Sequence, residues 1–219
     1  MSTPGQAAIA SNEVLTLFPT IVCRVQLDTE SREPLNRAIR ARLDALIGSE
    51  PPPAAGERLR TGRALHRFEE MVPLAEFVQS NAEGMLSYLM ATHGGIEVSA
   101  CWADVLGPGS RVSDEASVNA YLGALYFCNL PGGEARVTFR DPRRQSSIIS
   151  APSHRDRFER NAVVAREGTL LLFPGWLERG LDRRSDGSQA ACIGFELMFN
   201  DFTETLSRPL WEGDTYKRA

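Results

Sequence analysis

The segment 168–178, GTLLLFPGWLE, is an apolar run that ends at Phe173 and is followed by a Pro-Gly turn. A short apolar run bounded by turn residues is typical of a buried β-strand. Four similar runs flank this segment, separated by glycine- and proline-rich turns: Ile96–Val105, Val118–Asn129, Ala135–Phe139 and Gln189–Asn200. Several short strands in succession, with no helix between them, favour a β-sandwich or barrel.

The sequence before residue 96 has a different character. Apolar residues with helical spacing predict helices over Pro34–Ile47 and Pro73–Thr92, while Glu13–Gln26 predicts a strand interrupted by Pro19. The predicted fold class is therefore α+β and mainly β, with two N-terminal helices packed on a jelly roll. The predicted organisation is a flexible tail (1–12), one domain (13–202, with a helical preface at 13–95 and a barrel core at 96–202) and a C-terminal extension (203–219).

Composition narrows the functional class. The chain has 219 residues and a net charge of −4, and no basic stripe points to nucleic acid. No apolar run approaches the ~20 residues of a membrane span. The cysteines lie far apart without a C-x-x-C spacing, which predicts neither a disulfide framework nor a zinc site: Cys23, Cys101, Cys128 and Cys192. We expect a cytoplasmic protein with a small-molecule ligand, and a homodimer is possible.

Five segments together resemble one family of bacterial 2-oxoglutarate- and iron-dependent oxygenases. They are LFPT (17–20), CWAD (101–104) followed by Gly-Pro-Gly (107–109), LGALYF (122–127), FRDPR (139–143) and the FPGWLE part of 168–178. The match extends over most of residues 15–199, and FPGWLE is its most specific part. The resemblance implies a double-stranded β-helix, the cupin-like form of the jelly roll.

The resemblance also implies a set of iron and co-substrate residues, which this chain lacks. The family's H-x-H or H-x-D pair corresponds to the region of Asp114 and Ala116, its distal histidine to Arg179, and its oxoglutarate-binding arginine to the region of Ala190. A guanidinium stays protonated and has no lone pair to donate, so Arg179 cannot ligate iron. We therefore expect neither Fe(II) nor 2-oxoglutarate as a cofactor.

The three histidines of the chain offer no obvious replacement. His154 and Asp156 form an H-x-D motif, but it follows the FRDPR turn instead of preceding the LGALYF strand, and it is most simply interpreted as a solvated loop. His66 and His93 are most simply interpreted as structural histidines near helix ends.

Strand alternation gives a set of candidate catalytic residues. Starting from Ala190, alternate residues of the last strand are predicted to face the barrel interior: Ala190, Cys192, Gly194, Glu196 and Met198. The interior set predicted for the neighbouring strand is Ala120, Leu122, Ala124, Tyr126 and Cys128. A lone carboxylate in such an interior is costly. We expect Arg179 to provide the positive charge near Glu196 and near Asp114 or Glu115, and Tyr126 to orient a substrate.

Three functions are consistent with these residues. The first is a metal-independent enzyme of specialised metabolism that performs cyclisation, isomerisation, elimination or hydrolysis in a charged pocket. The second is a non-catalytic protein that binds a small molecule or a partner protein. The third is an active oxygenase with an unusual carboxylate-rich site, for example Asp114, Glu115 and His154, and only this one requires Fe(II) and 2-oxoglutarate.

Overall fold

A computed structural model describes residue 13 and residues 18–91, 94–117, 119–131, 133–140, 162–182 and 188–200. The described strands are β1 (Cys23–Gln26), β2 (Arg58–Arg60), β3 (Ile96–Leu106), β4 (Arg111–Glu115), β5 (Leu122–Asn129), β6 (Ala135–Phe139), β7 (Ala162–Ala165), β8 (Thr169–Pro174), β9 (Arg179–Asp182) and β10 (Ala190–Phe199). The helices are α1 (Thr29–Ile47) and α2 (Val72–Tyr88), and two short 3₁₀ turns, Leu65–Arg67 and Glu69–Met71, precede α2.

The strands form two sheets of antiparallel neighbours. The larger sheet has the order β1-β8-β5-β10-β3-β2 and the smaller one β4-β9-β6-β7. Two sheets packed face to face, with both helices in the N-terminal part of the chain, confirm the predicted fold class. No helix in the described ranges is long and apolar enough to cross a membrane. The predicted domain boundaries remain predictions.

Each face of the larger sheet buries its own hydrophobic cluster. The outer cluster joins α1 and α2 to one face, with Ile39, Leu74, Tyr126, Ile193 and Phe195 among its members. The inner cluster fills the space between the sheets, with Leu125, Phe127, Phe173, Leu181 and Cys192 among its members. The described barrel interior is therefore mainly a packed core, with charged side chains at one cavity.

The register of β10 against β5 corrects half of the alternation prediction. Ala190 and Cys192 face the interior as predicted. Cys192 is paired with Phe127, however, so the interior set of β5 is the odd-numbered one. Leu122, Ala124, Tyr126 and Cys128 face the helices instead. The prediction for β5 was wrong because alternation within one strand does not give the register of its neighbour.

The helices begin and end differently from the prediction. Helix α1 begins at Thr29 because the carboxylate of Asp28 caps it, accepting the backbone N–H of Ser31 at 2.7 Å. Pro34 lies inside the helix and not at its start. Helix α2 ends at Tyr88, before the predicted end at Thr92, and Met90 then adopts a left-handed φ of 53°. Within the predicted strand Glu13–Gln26, the structure describes a strand at Cys23–Gln26.

Candidate functional site

A small cavity of about 20 Å³ lies between the two sheets, at the end where polar side chains enter the interior. This volume holds about one water-sized group. Four charged side chains line it, together with apolar residues of the inner cluster: Arg60, Asp104, Glu115 and Arg179. They come from β2, β3, β4 and β9, so the cavity exists only once both sheets are assembled.

Asp104 is the most deeply buried carboxylate at this cavity, with 4% of its surface exposed. Arg60 donates two hydrogen bonds to it, from Nε at 2.7 Å and from Nη2 at 2.9 Å, in the two-pronged geometry that a guanidinium favours. The indole N–H of Trp102 donates a third at 3.0 Å. These donors neutralise and fix Asp104, which compensates for its burial.

Glu115 ends β4 and points to the same cavity. The β4–β9 register shifts between Val112 and Glu115, and this irregularity brings Glu115 opposite Arg179. Its carboxylate accepts hydrogen bonds from Arg58 at 2.9 Å and Arg60 at 3.0 Å. Burial alone raises the pKa of Glu115, but the bonds and charges of the two arginines outweigh it and lower the pKa below the usual 4.5. Glu115 is therefore ionised near neutral pH.

Arg179 begins β9 and is 6% exposed. Its guanidinium donates to the backbone carbonyl of Glu115 at 3.2 Å and to the hydroxyl of Ser117 at 3.5 Å, and it lies 4.9 Å from the ring centroid of Phe173. Burial lowers the pKa of Arg179 and the nearby Glu115 carboxylate partly opposes the shift. A guanidinium nevertheless keeps its proton in proteins. Within the described residues, these contacts leave its charge without a carboxylate in hydrogen-bond contact.

Glu196 lies on the interior face of β10, next to the cavity and not in its wall. Its carboxylate pairs with Arg63, whose guanidinium lies 4.8 Å from the Trp102 ring. Glu196 pairs with Gly123 on β5, and Gly123 pairs with Phe173 on β8. Two strand spacings therefore separate the Cα atoms of Glu196 and Phe173, which is about 10 Å. The Phe173 ring in turn lies 4.9 Å from the Arg179 guanidinium. Glu196 was predicted to lie near Arg179, but the structure describes Arg63 as its ion-pair partner.

Of the two alternative carboxylates predicted near Arg179, Glu115 lines the cavity and Asp114 does not. A Cβ atom on Gly180, whose neighbours Arg179 and Leu181 point inward, would meet the Asp114 carboxylate at 2.8 Å. Asp114 therefore lies on the outer face of the smaller sheet, where Arg140 approaches it to 3.6 Å. Adjacent residues of a strand face opposite sides, and the irregularity in β4 decides that Glu115, and not Asp114, faces the cavity.

Tyr126 also lies outside the cavity, on the helix side of the larger sheet. Its hydroxyl donates to the side-chain oxygen of Asn36 on α1 at 2.7 Å, and both residues are fully buried. The side-chain nitrogen of Asn36 donates in turn to Glu167 at 2.9 Å. Burial raises the pKa of Tyr126 far above its usual value, so it is not an acid near neutral pH. Its observed contact is structural.

Four charged residues of this region were not among the predicted site residues. Asp104 belongs to the CWAD motif, and Arg58, Arg60 and Arg63 lie just after the proline-rich stretch EPPPAAGE (50–57). The available signal was the spacing R-x-R-x-x-R over residues 58–63, because alternate residues of a strand share one face. A three-residue strand at the sheet edge is too short to be predicted from hydrophobic alternation.

The donor groups at the cavity do not fit a catalytic iron. No group of three His, Cys, Asp or Glu side chains within the described residues is placed to hold a metal ion. Asp104 and Glu115 are occupied by arginines, and the Arg179 guanidinium projects among them. Asp114 points away, so Asp114 and Glu115 do not form a joint ligand set. His93 and His154 lie outside the described residues.

His66 does not contribute to this cavity. It lies in the 3₁₀ turn Leu65–Arg67 and is absent from the described cavity wall. Burial, together with the charge of Arg67, lowers its pKa.

The fold is shared with solved oxygenase structures. No protein-family model matches the chain, and no curated protein matches it in sequence. HygX from Streptomyces hygroscopicus, solved with nickel and 2-oxoglutarate bound, is 13% identical with a TM-score of 0.53, and the match covers 83% of each chain. The non-heme alpha-ketoglutarate-dependent epimerase SnoN from nogalamycin biosynthesis is 12% identical with a TM-score of 0.55, covering 82% of this chain and 79% of its own.

A Pseudomonas putida prolyl-4-hydroxylase is 13% identical with a TM-score of 0.51, covering 81% of this chain and 92% of its own. The chain therefore has the double-stranded β-helix fold of the 2-oxoglutarate- and iron-dependent oxygenases. At these identities the likeness shows the fold, and the activity must be argued from the site.

Proposed function

We propose that this protein is a metal-independent enzyme that acts on a small anionic substrate at the mouth of its barrel. The observation that carries the proposal is the pairing of Glu115 with Arg179 across β4 and β9. The family resemblance implies iron ligands in this region. In this chain the region holds the permanent cation of Arg179 and the ionised carboxylate of Glu115.

Energetics favour a functional role for these charges over a purely structural one. Replacing a whole set of buried charged groups by apolar ones of similar size is often neutral or stabilising, so a stabilising role alone is a weak explanation for such a set. Arg179 is the strongest case, because its described hydrogen-bond partners are neutral. Clusters of charged groups with perturbed pKa values are typical of catalytic sites.

The balance of charge indicates the kind of substrate. The described side chains of this region carry the guanidinium groups of Arg58, Arg60, Arg63 and Arg179 against the carboxylates of Asp104, Glu115 and Glu196. One positive charge is in excess, and Arg179 is the cation not in contact with a carboxylate. A substrate with one negative charge restores neutrality.

The residues take distinct roles in this proposal. Arg179 stabilises negative charge on a substrate oxygen, in a dry site where electrostatic interactions are strong. Glu196 exchanges a proton with the substrate, while Asp104 and Glu115 hold the arginines in position. Asp114 and Tyr126 have no part in the chemistry, given their positions. Cyclisation, isomerisation, elimination and hydrolysis all fit such a site.

A metabolite-consumption experiment tests the proposal. Protein treated with a chelator is incubated with a small-molecule extract, and mass spectrometry follows depletion and product formation for the wild type and for Arg179→Met. The proposal expects anionic metabolites to be converted by the chelated wild type and not by the variant. Conversion only after addition of Fe(II) and 2-oxoglutarate overturns it in favour of an oxygenase.

A second candidate is a non-catalytic protein that binds a small molecule. The observation that favours it is the occupation of Asp104 and Glu115 by arginines around a cavity that holds about one water-sized group. Retention of an anionic metabolite without any conversion, lost in Arg179→Met, supports this candidate over the enzyme.

A further inference from the structure

A second and larger cleft lies on the opposite face of the larger sheet from the charged cavity. Its volume is about 300 Å³, and it is bounded by the C-terminal half of α1, the segment Pro51–Pro53 and the ends of β2, β3 and β10. This volume is at the lower end of the range for small-molecule sites, about 300–1,000 Å³. We propose that the cleft binds a small amphiphilic amine, with the apolar part inside and the ammonium group at the end of α1.

The apolar part of the cleft has a simple origin. Leu43 and Ile47 project from one face of α1 toward the sheet, where Leu59, Val105 and Ala191 lie opposite them. Ala191 places only a methyl group beneath the helix, and it is 6% exposed. A small residue between larger apolar ones leaves a gap that an apolar ligand fills with favourable contacts.

The charge of the cleft is negative. Asp44 and Glu50 are at its edge, and neither side chain has an ion-pair partner among the described residues. Arg40, the cation of the cleft wall, is already 3.4 Å from Glu167. Among the described residues of the cleft, the unpaired charge is therefore carried by carboxylates, which attract a cation.

The C-terminal end of α1 is a second source of negative electrostatic potential at the cleft, besides the carboxylates. The helix ends at Ile47, and its last turn contains no basic residue. The C-terminus of a helix carries a partial negative charge of about half a unit, which a cation stabilises within the last turn. Asp44 lies in that last turn, so the helix end and its carboxylate act on the same ligand group.

Three probes of similar shape test the charge selectivity. NMR titration of the full-length protein with 2-phenylethylamine, 2-phenylethanol and 3-phenylpropionate compares a cation, a neutral molecule and an anion. We expect the amine to bind more tightly than the alcohol by about three-fold or more, and the anion to bind weakest. Shifts are expected at Leu43, Ile47, Val105 and Ala191. Absence of amine binding, equal affinity of the amine and alcohol, or shifts elsewhere overturn the proposal.

Two variants test the location. Ala191→Leu fills the apolar part of the cleft and should abolish binding, while Asp44→Asn leaves the cleft open and should weaken amine binding about three-fold without changing alcohol binding. Glu33→Gln removes an exposed carboxylate near the other end of α1 and should change neither. If Ala191→Leu does not fold, Asp44→Asn decides the matter, and unchanged amine binding in Asp44→Asn contradicts the proposal.

Discussion

Glu115 and Arg179 are paired across β4 and β9, but their side chains do not form an ion pair with each other. The Glu115 carboxylate accepts bonds from Arg58 and Arg60, while the Arg179 guanidinium donates to the Glu115 backbone carbonyl and to Ser117. Register alone thus brings the two charges together, and the edge strand β2 decides which of them is neutralised. Among the described residues, no carboxylate is in hydrogen-bond contact with Arg179 beside the cavity.

Removing that charge should separate stability from function. Arg179→Met keeps most of the side-chain volume and eliminates a buried cation, so we expect the free energy of unfolding to stay the same or rise by about 1 kcal/mol, while conversion of the substrate is lost. Urea denaturation measures the first and substrate depletion the second. Arg24→Met, at an exposed position of β1, is the matched control and should change neither.

Removing the Asp104 carboxylate, unlike removing the Arg179 charge, should lower the free energy of unfolding. Asp104→Ala removes the acceptor of two bonds from Arg60 and one from Trp102, leaving a partly buried guanidinium without its main partner. We expect a loss of about 3–5 kcal/mol in the free energy of unfolding. The double variant Asp104→Ala/Arg60→Met should recover part of this loss. A loss in the double variant equal to the sum of the two single losses contradicts the assigned coupling.

Acid should weaken the β2–β4 contact through Glu115. The pKa of Glu115 is lowered in the folded protein, so its ionised form contributes stability above the unfolded pKa of about 4.5, and this contribution is lost as the pH falls toward the folded value. Urea denaturation between pH 6 and pH 3 should therefore show a steeper loss of stability in the wild type than in Glu115→Gln. Parallel curves for the two proteins rule out this role.

Gly194 is required by the position of an indole ring. A Cβ atom at residue 194 would approach two carbons of the Trp102 ring to 2.5 Å. We expect Gly194→Ala to lower the free energy of unfolding by about 1–3 kcal/mol, because a packed interior resists added volume. Gly84→Ala in α2, where a Cβ has open space, should instead raise it by about 1 kcal/mol.

The hydroxyl of Tyr126 should matter for stability and not for chemistry. Tyr126→Phe leaves the fully buried oxygen of Asn36 without its donor, at a cost of about 1–3 kcal/mol in the free energy of unfolding. Substrate conversion, measured where the variant is fully folded, should match the wild type. A strong loss of activity in folded Tyr126→Phe returns Tyr126 to the active site.

The sequence by itself determined the class of fold and the inward face of β10. Turn-bounded strands after residue 96 predicted the jelly roll, and the parity of Ala190 and Cys192 placed them in the interior. The replacement of a metal-binding imidazole by Arg179 is implied by the family resemblance and stays a prediction. These features follow from local pattern and side-chain chemistry, which do not depend on how strands pair.

Only the tertiary structure decided which charges meet. The register of β5 placed Tyr126 on the helix side, an irregularity in β4 turned Glu115 and not Asp114 to the cavity, and the short edge strand β2 brought Arg60 to Asp104. Each depends on a pairing between segments distant in the chain, and a shift of one residue turns a side chain to the opposite face. Alternation within a single strand carries no information about that pairing.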